Sequence, residues 1–431
     1  MVSPFCQHRR ILVASLVGTT IEFYDFYIYA TAAALVFGPL FFPAESSSAQ
    51  LMLSFLSFGL AFLARPFGAI LFGHFGDRIG RKSTLVASLL LMGISTLLIA
   101  FLPTYATAGW IAPLLLCILR FGQGLGLGGE WGGAALLAVE YAPLGWRARF
   151  GMVPQLGAPI GFVAANGLFL LIGMHLSDTE FAAWGWRIPF LASSILIALG
   201  LWVRLKINET PEFTRALAQD PPSPVPVGEL IRKHTTITFA GTFTVVACFA
   251  IFYLSTAFAL AHGTTTLGYD REQFLITQLA AIPFLAAGII VAGIQSDKSG
   301  ANQVLVRGCA ATIGLGLIFG PILGLGSLWL IWVVLALALF IMGFVYGPLG
   351  AWLPSLFPAR IRYTGVSVAF NAGGILGGAL APLAAQALND AGGTSFVGLY
   401  LTIAGIFSLA GLQLARHLMM EDRKQVDLLA K

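Results

Sequence analysis

Apolar runs of bilayer-crossing length alternate with short polar breaks along the whole of this chain. A helix needs roughly 20 residues to span a hydrocarbon core. Twelve segments qualify: about 11–41, 50–75, 83–103, 110–142, 149–174 and 185–206, then 236–262, 271–296, 303–324, 327–356, 362–388 and 396–418. The longest polar stretch, 207–235, separates the sixth from the seventh and contains Asn208-Glu209-Thr210-Pro211-Glu212 and Asp220-Pro221-Pro222-Ser223-Pro224-Val225-Pro226. Proline-rich charged sequence does not continue a helix. The pattern therefore predicts an all-α membrane protein of two six-helix sets, 1–206 and 236–431, joined by a cytoplasmic linker at 207–235.

Two of the short breaks echo one another at half-chain spacing. The first is Gly73-His74-Phe75-Gly76-Asp77-Arg78-Ile79-Gly80-Arg81-Lys82 and the second Gly293-Ile294-Gln295-Ser296-Asp297-Lys298-Ser299-Gly300-Ala301-Asn302. A repeated charged hinge in so apolar a chain points to two equivalent membrane halves that rock against each other, as in a secondary transporter. Glycines permit the reversal, and Asp77 can accept hydrogen bonds from amides at a neighbouring helix end. Arg78, Arg81 and Lys82 can pair with acids across a closing surface, Glu140 among them. A pure topology signal would need only the positive charges. We therefore expect Gly73, Asp77, Arg78, Gly80, Arg81, Lys82, Glu140 and Asp297 to form a cytoplasmic gate. Its two latches should be unequal, because Ala301 and Asn302 replace the basic pair.

Composition agrees with the pattern. Hydrophobic residues make up 58% and charged residues 10% of the chain, against about 25% charged in soluble proteins. Fifty glycines and 21 prolines are tolerated inside helix bundles in lipid. A formal charge of +5 invites a nucleic-acid partner, but the placement of the bases argues against one. Most gather at one set of span ends, among them Arg9, Arg10, Arg147, Arg149, Arg204, Lys206, Arg232, Lys233, Arg360 and Arg362. This positive-inside bias puts both termini in the cytoplasm. The first span holds Glu22 and Asp25 and lacks a small-residue cleavage signal, so it reads as a retained helix. The four cysteines and six histidines are scattered. No metal, cofactor or enzymatic nucleophile cluster is expected, and neither is an oligomer.

Ionisable groups within apolar spans mark pathways or sites. Ser15, Gly18, Glu22, Asp25 and Tyr29 share one stripe of the first span, which should face protein or a wet chamber. Withdrawal from water favours the neutral form of a carboxyl group in general, so Glu22 or Asp25 either carries a proton or pairs permanently with an arginine. In the fourth span Arg120, Gln123, Leu127 and Glu130 lie on a common arc bordered by Trp131. Arg120 suits a substrate carboxylate or neutralises Glu22 or Asp25. Arg65, before Pro66 and Gly68, either fixes a bend or touches substrate. Tyr253, Ser255, Thr256, Gln278, Tyr346 and Asn371 supply hydrogen-bonding groups from the second half, each open to a purely interhelical role. Gly124-x-Gly126-x-x-Gly129 imitates a dinucleotide fingerprint, but no strand precedes it; it reads as a face for close helix crossing. Trp184-Gly185-Trp186 reads as an interfacial aromatic anchor.

The first hinge matches the form G-x-x-x-D-R-x-G-R-K, and the chain resembles the metabolite–proton symporter family of the major facilitator superfamily over nearly its whole length. The resemblance is carried by Glu22-Phe23-Tyr24-Asp25-Phe26, Arg65-Pro66-Phe67-Gly68, Arg120-Phe121-Gly122-Gln123-Gly124, Gly128-Gly129-Glu130-Trp131-Gly132-Gly133-Ala134, Trp184 to Phe190 and Phe357-Pro358-Ala359-Arg360-Ile361-Arg362-Tyr363. Gly128 to Ala134, with Thr256-Ala257-Phe258-Ala259-Leu260, is similar to the shikimate-transporter branch. The resemblance implies two pseudo-symmetric six-helix bundles around a midplane site and proton-driven uptake of a small organic acid or betaine across a bacterial inner membrane. Pro154-Gln155-Leu156-Gly157-Ala158-Pro159-Ile160-Gly161 partly imitates a drug–proton exporter and keeps that alternative open. The expected proton-coupling residues are Glu22, Asp25 and Glu130. The expected substrate contacts are Tyr29, Arg65, Arg120, Gln123, Trp131, Tyr253, Tyr346 and Asn371.

Overall fold

The computed structural model describes residues 4–79, 81–205 and 226–429. A backbone in lipid must satisfy its own hydrogen bonds, and the described spans are all helical. In order they are α1 (Arg9–Phe41), α2 (Ser47–Phe75), α3 (Ser83–Ile99), α4 (Ile111–Glu140), α5 (Arg147–His175), α6 (Gly185–Leu205), α7 (Thr235–Thr265), α8 (Arg271–Ser299), α9 (Ala301–Gly324), α10 (Leu328–Leu356), α11 (Ala359–Gly392) and α12 (Thr394–Glu421). Eleven are long and apolar enough to cross a membrane, and α3 is shorter. It is also shorter than the sequence pattern suggests, because the chain turns at Ala100 and Phe101 ahead of Pro103. Within the expected linker, Pro226–Lys233 forms a helix with Leu230 buried; 207–225 lies outside the described residues.

The architecture is two pseudo-symmetric six-helix bundles. In one, α1 packs on α5 and α6, and α4 on α2 and α3; in the other, α8 packs on α10, and α12 on α7 and α9. Between bundles, α2 meets α11 and α5 meets α8. These two pairings are each other's counterparts when the halves are exchanged.

Glycine sets how closely α2 and α4 approach. A Cβ on Gly124 would lie 2.2 Å from the Ala61 carbonyl oxygen, and one on Gly128 would lie 2.1 Å from that of Arg65. Overfilling a packed contact costs about 1–3 kcal/mol, and backbone on both sides leaves nothing to yield. Gly124→Leu is therefore expected to lower the melting temperature in detergent and split the size-exclusion peak. Gly167→Ala, which faces open space, should change neither.

Helix α1 loosens into a π-turn at Ala33–Phe37 and α7 does so at Leu254–Phe258. Such turns free carbonyls from the regular ladder and are frequent at functional sites. Neighbouring helices satisfy them: Ser54 Oγ of α2 donates to the Ala33 carbonyl at 2.7 Å, and Gln278 Nε2 of α8 to those of Ser255 and Thr256 at 3.0 and 2.8 Å. Gln278 thus braces α7. A third π-turn, Ile375–Ala379, follows Gly373-Gly374 in α11. Helix α4 breaks at Gly128 and Gly129, which the continuous apolar pattern did not foretell.

Candidate functional site

The charged stripe of α1 is buried and splits in two directions. Asp25 turns into its own bundle, where Ser193 of α6 donates to one carboxylate oxygen and Thr96 of α3 to the other at 3.2 Å. Thr96 accepts from Gln123 Nε2 at 2.6 Å, and Gln123 Oε1 accepts from Arg120 Nη1 at 2.8 Å. A continuous chain therefore links Asp25 to Arg120 through two neutral side chains. Nothing in the i, i+3 spacing of Glu22 and Asp25 revealed that only Asp25 would be so held.

Glu22 is different. It is buried, and its Oε2 has no hydrogen-bond partner. Arg65 and Arg204 are the cations that act on it electrostatically. Arg204 forms an ion pair with Glu130 and donates to the Leu85 carbonyl. Glu130 Oε2, like Glu22 Oε2, is unpartnered. Sequence reasoning grouped Arg204 with the topology charges; it is instead a buried member of this cluster. Its position at the end of an apolar span, where arginines ordinarily reach for the interface, concealed that role.

Arg65 and Arg120 have no acid partner among the described residues. Their guanidinium carbons lie 4.4 and 4.3 Å from the centroid of the same Phe26 ring. Arg65 also sits over Phe62, and Arg120 over Tyr29 at 3.9 Å. Arg65 Nε makes no hydrogen bond. Arg120 is fully buried; its Nε and Nη2 donate to the Phe58 carbonyl, both at 3.4 Å, and its Nη1 to Gln123, so it makes no direct ion pair with Glu22 or Asp25. Tyr29 is fixed by a 2.8 Å bond to Ser57. From the other bundle Tyr253 packs edge-on against Phe26, Phe58 and Phe62. The two guanidiniums, neither in an ion pair among the described residues, therefore lie in an aromatic setting contributed by both halves.

On one side of this centre the bundles are fastened. Trp131 donates to Gln155 and shares a 3.0 Å contact with the Tyr346 hydroxyl, while its ring stacks on Phe370 at 3.5 Å. Asn371 Nδ2 donates to the carbonyls of Gly128 and Ser367, both at 2.8 Å, and Tyr363 donates to Gly129. The break in α4 thus exposes two carbonyls that α11 captures. Asn371 is a clasp between bundles, with both hydrogens of its amide nitrogen engaged. A cavity of about 10 Å³ among Tyr27, Thr31, Asn166, Thr256 and Gln278 is room for about one water.

Contacts cross the inter-bundle seam at both of its ends. At one end Asp297 receives the backbone amides of Ala148 and Arg149 at 2.9 and 3.1 Å, plus Arg149 Nε at 2.8 Å. An acid at a helix N-terminus meets free amides and the positive end of the dipole. Gly73 packs against Thr364. Gly80 and the side chains of Asp77, Arg78, Arg81 and Lys82 lie outside the described residues, and with them the expected pairing to Glu140. At the other end Ser48 donates to Asp390, and Arg271 reaches Asp178 at 3.3 Å. Trp186 proves not to be an interfacial anchor: it is fully buried against Phe37, Phe41 and Phe190, which leaves Trp184 exposed.

Residues 11–221 match the family described as "Sugar (and other) transporter". The inner membrane metabolite transport protein YhjE of Escherichia coli (strain K12) is 46% identical over 431 residues, covering 99% of this chain and 97% of its own. The shikimate transporter of the same strain is 36% identical over 423 residues, covering 97% and 95%. Among solved structures, a partially occluded inward-open conformation of the xylose transporter XylE from E. coli aligns with a TM-score of 0.73 at 16% identity, covering 94% of this chain and 96% of that one.

Proposed function

The chain belongs to the metabolite–proton symporter family of the major facilitator superfamily and is a transporter, not an enzyme; we propose that it imports a small organic acid together with a proton by alternating access. The observation that carries this reading is the pair of buried guanidiniums of Arg65 and Arg120, neither in an ion pair among the described residues, with Arg65 also acting on Glu22, a carboxylate with an unused oxygen. A guanidinium presents a planar fork that suits a carboxylate. The ligand class is a shikimate-like acid, a dicarboxylate or tricarboxylate, or a betaine offering its carboxylate.

Charge balance supplies the coupling. Glu22, Asp25 and Glu130 are buried in equal number with Arg65, Arg120 and Arg204. Net charge inside a bilayer is penalised. A substrate carboxylate entering this set brings one negative charge, which a proton on Glu22 offsets. Asp25, held by two hydroxyls, keeps its charge and orients Arg120 through Gln123. Glu130 holds Arg204 close to Glu22. Release of substrate frees the arginines to draw Glu22 back to its charged form, and the proton leaves.

Movement follows from the same parts. Domains 1–206 and 236–431 rock about the centre, with the π-turns of α1 and α7 as bending points and Asp297 as a cytoplasmic latch. Both termini face the cytoplasm, and the membrane is the bacterial inner membrane, as the name of the E. coli relative states for that protein. Asp297→Asn is expected to weaken the latch by roughly 1.5–3 kcal/mol. Paired spin labels on the cytoplasmic ends of α5 and α8 should then report a larger separated population; an unchanged distance distribution would remove Asp297 from gating.

The identity of the acid is tested by thermal-shift screening of purified protein against shikimate, quinate, succinate, citrate, aromatic acids and betaine. Stabilisation by a carboxylate, lost in Arg120→Gln, is the expected result. Stabilisation only by lipophilic cations would instead indicate an exporter.

A further inference from the structure

We propose that the cleft between the cytoplasmic ends of α9 and α12 binds the phosphodiester headgroup of an anionic phospholipid. The cleft has a volume of about 530 Å³, and Arg307 and Arg416 line it together with Asn302, Gln303 and Gln413. It lies apart from the central charged cluster and takes no part in the transport chemistry.

Two features distinguish these arginines. Four other arginines near helix ends have acid partners: Arg149 has Asp297, Arg204 has Glu130, Arg271 has Glu272, and Arg360 has Glu229. Arg307 and Arg416 are exposed and have no ion-pair or hydrogen-bond partner among the described residues. Among the described residues no acid lines the cleft. Asp297, close in sequence, is engaged by Arg149, and Glu421 on α12 is paired with His417 at 3.1 Å. Two uncompensated positive charges thus converge on one concavity.

The backbone adds a third donor set. The chain enters α9 through Gly300 at φ 88°, a conformation that favours glycine. The first amides of a helix lack partners within it, and here Ala301, Asn302 and Gln303 begin α9 beside the two guanidiniums. Trp352 Nε1 donates to Asn302 Oδ1 at 2.7 Å, which holds that side chain by its oxygen.

Depth and shape select a lipid. Farther along, Gly316, Gly320 and Gly398 bring α9 and α12 into backbone contact, so the cleft closes towards the bilayer centre and stays open at the interface. Val306 and Leu412 give it apolar walls. With the proposed orientation, it sits at headgroup depth on the cytoplasmic face, where basic pockets between helices receive anionic headgroups. Arginine matches a phosphate diester with two parallel hydrogen bonds.

Native mass spectrometry of the detergent-solubilised full chain tests this, with phosphatidylglycerol and phosphatidylethanolamine as probes. Wild type should retain phosphatidylglycerol in preference to phosphatidylethanolamine. Arg307→Gln/Arg416→Gln should lose that retention about 10-fold, while Arg232→Gln/Lys233→Gln, bases elsewhere on the same face, should keep it. Equal retention in wild type and the first variant would overturn the proposal. So would an equal loss in both variants, which would mean diffuse charge. Complete displacement of the lipid by millimolar inorganic phosphate would identify a soluble-anion site and overturn it as well. All four side chains are on the surface, so matched size-exclusion profiles should accompany the comparison.

Discussion

Glu22→Gln is expected to lower acid accumulation driven by a pH gradient by about 100-fold, the scale of losing one charge-compensating step of roughly 3 kcal/mol. Exchange of labelled for unlabelled substrate without a gradient should persist. Glutamine keeps the shape of the side chain and removes the site that binds and releases a proton. The surrounding set is then permanently short of one negative charge and behaves as though always protonated. That form can bind an acid and shuttle it, but cannot return empty at the normal rate. Asp25→Asn should behave differently. Its two oxygens accept from Ser193 and Thr96, and an amide cannot accept twice on equal terms. Loss of charge-assisted bonds worth about 1.5–3 kcal/mol each should lower thermal stability and loosen Arg120, reducing accumulation and exchange together. The comparison of accumulation with exchange in reconstituted vesicles separates these two outcomes. Should Glu22→Gln accumulate substrate normally, the proton resides elsewhere.

Arg120→Gln is the second large effect. Truncating one partner of a buried charged pair costs about 2–5 kcal/mol, so the dissociation constant for the acid should rise by about 100-fold or more. Arg120→Lys should rescue little. The guanidinium reaches Gln123 with one nitrogen and lies over Tyr29 and Phe26, and a compact ammonium cannot reproduce both the fork and the stacking. Isothermal titration with the acid identified by thermal shift gives the number directly. An affinity within twofold of wild type would exclude Arg120 as the carboxylate anchor and leave Arg65 to fill that role.

Much of this was legible before any coordinates. Runs of about 20 apolar residues placed the helices because hydrocarbon allows few alternatives to them. Glu22, Asp25, Arg120 and Glu130 stood out for a related reason: a charge inside such a run is costly and seldom incidental. The partnerships were not legible. Glu22 and Asp25 share a stripe, yet Asp25 meets Ser193 and Thr96 while Glu22 keeps an oxygen with no hydrogen-bond partner. Arg204 looked like an ordinary interfacial base. Phe26, which both guanidiniums face, and Gln155, which receives Trp131, are among residue types too common in apolar helices to signal a site. The break at Gly128 and Gly129 lies in a segment whose Gly124, Gly126 and Gly129 read as a face for close helix crossing. The glycines do serve that purpose, but their carbonyls also hold Asn371 and Tyr363 from the other bundle. Pattern along one helix reports its burial, whereas the identity of the neighbour depends on contacts hundreds of residues away.

The central claim is that one proton accompanies each carboxylate into a buried, charge-balanced set. Its most direct test is uptake into proteoliposomes with pH gradient and membrane potential imposed separately, using a monocarboxylate that stabilises the protein, with shikimate the first choice. The account predicts accumulation set by the pH gradient, internal acidification in step with uptake, and no response to potential alone. Accumulation driven by potential at equal pH, or indifferent to a pH gradient, would contradict it.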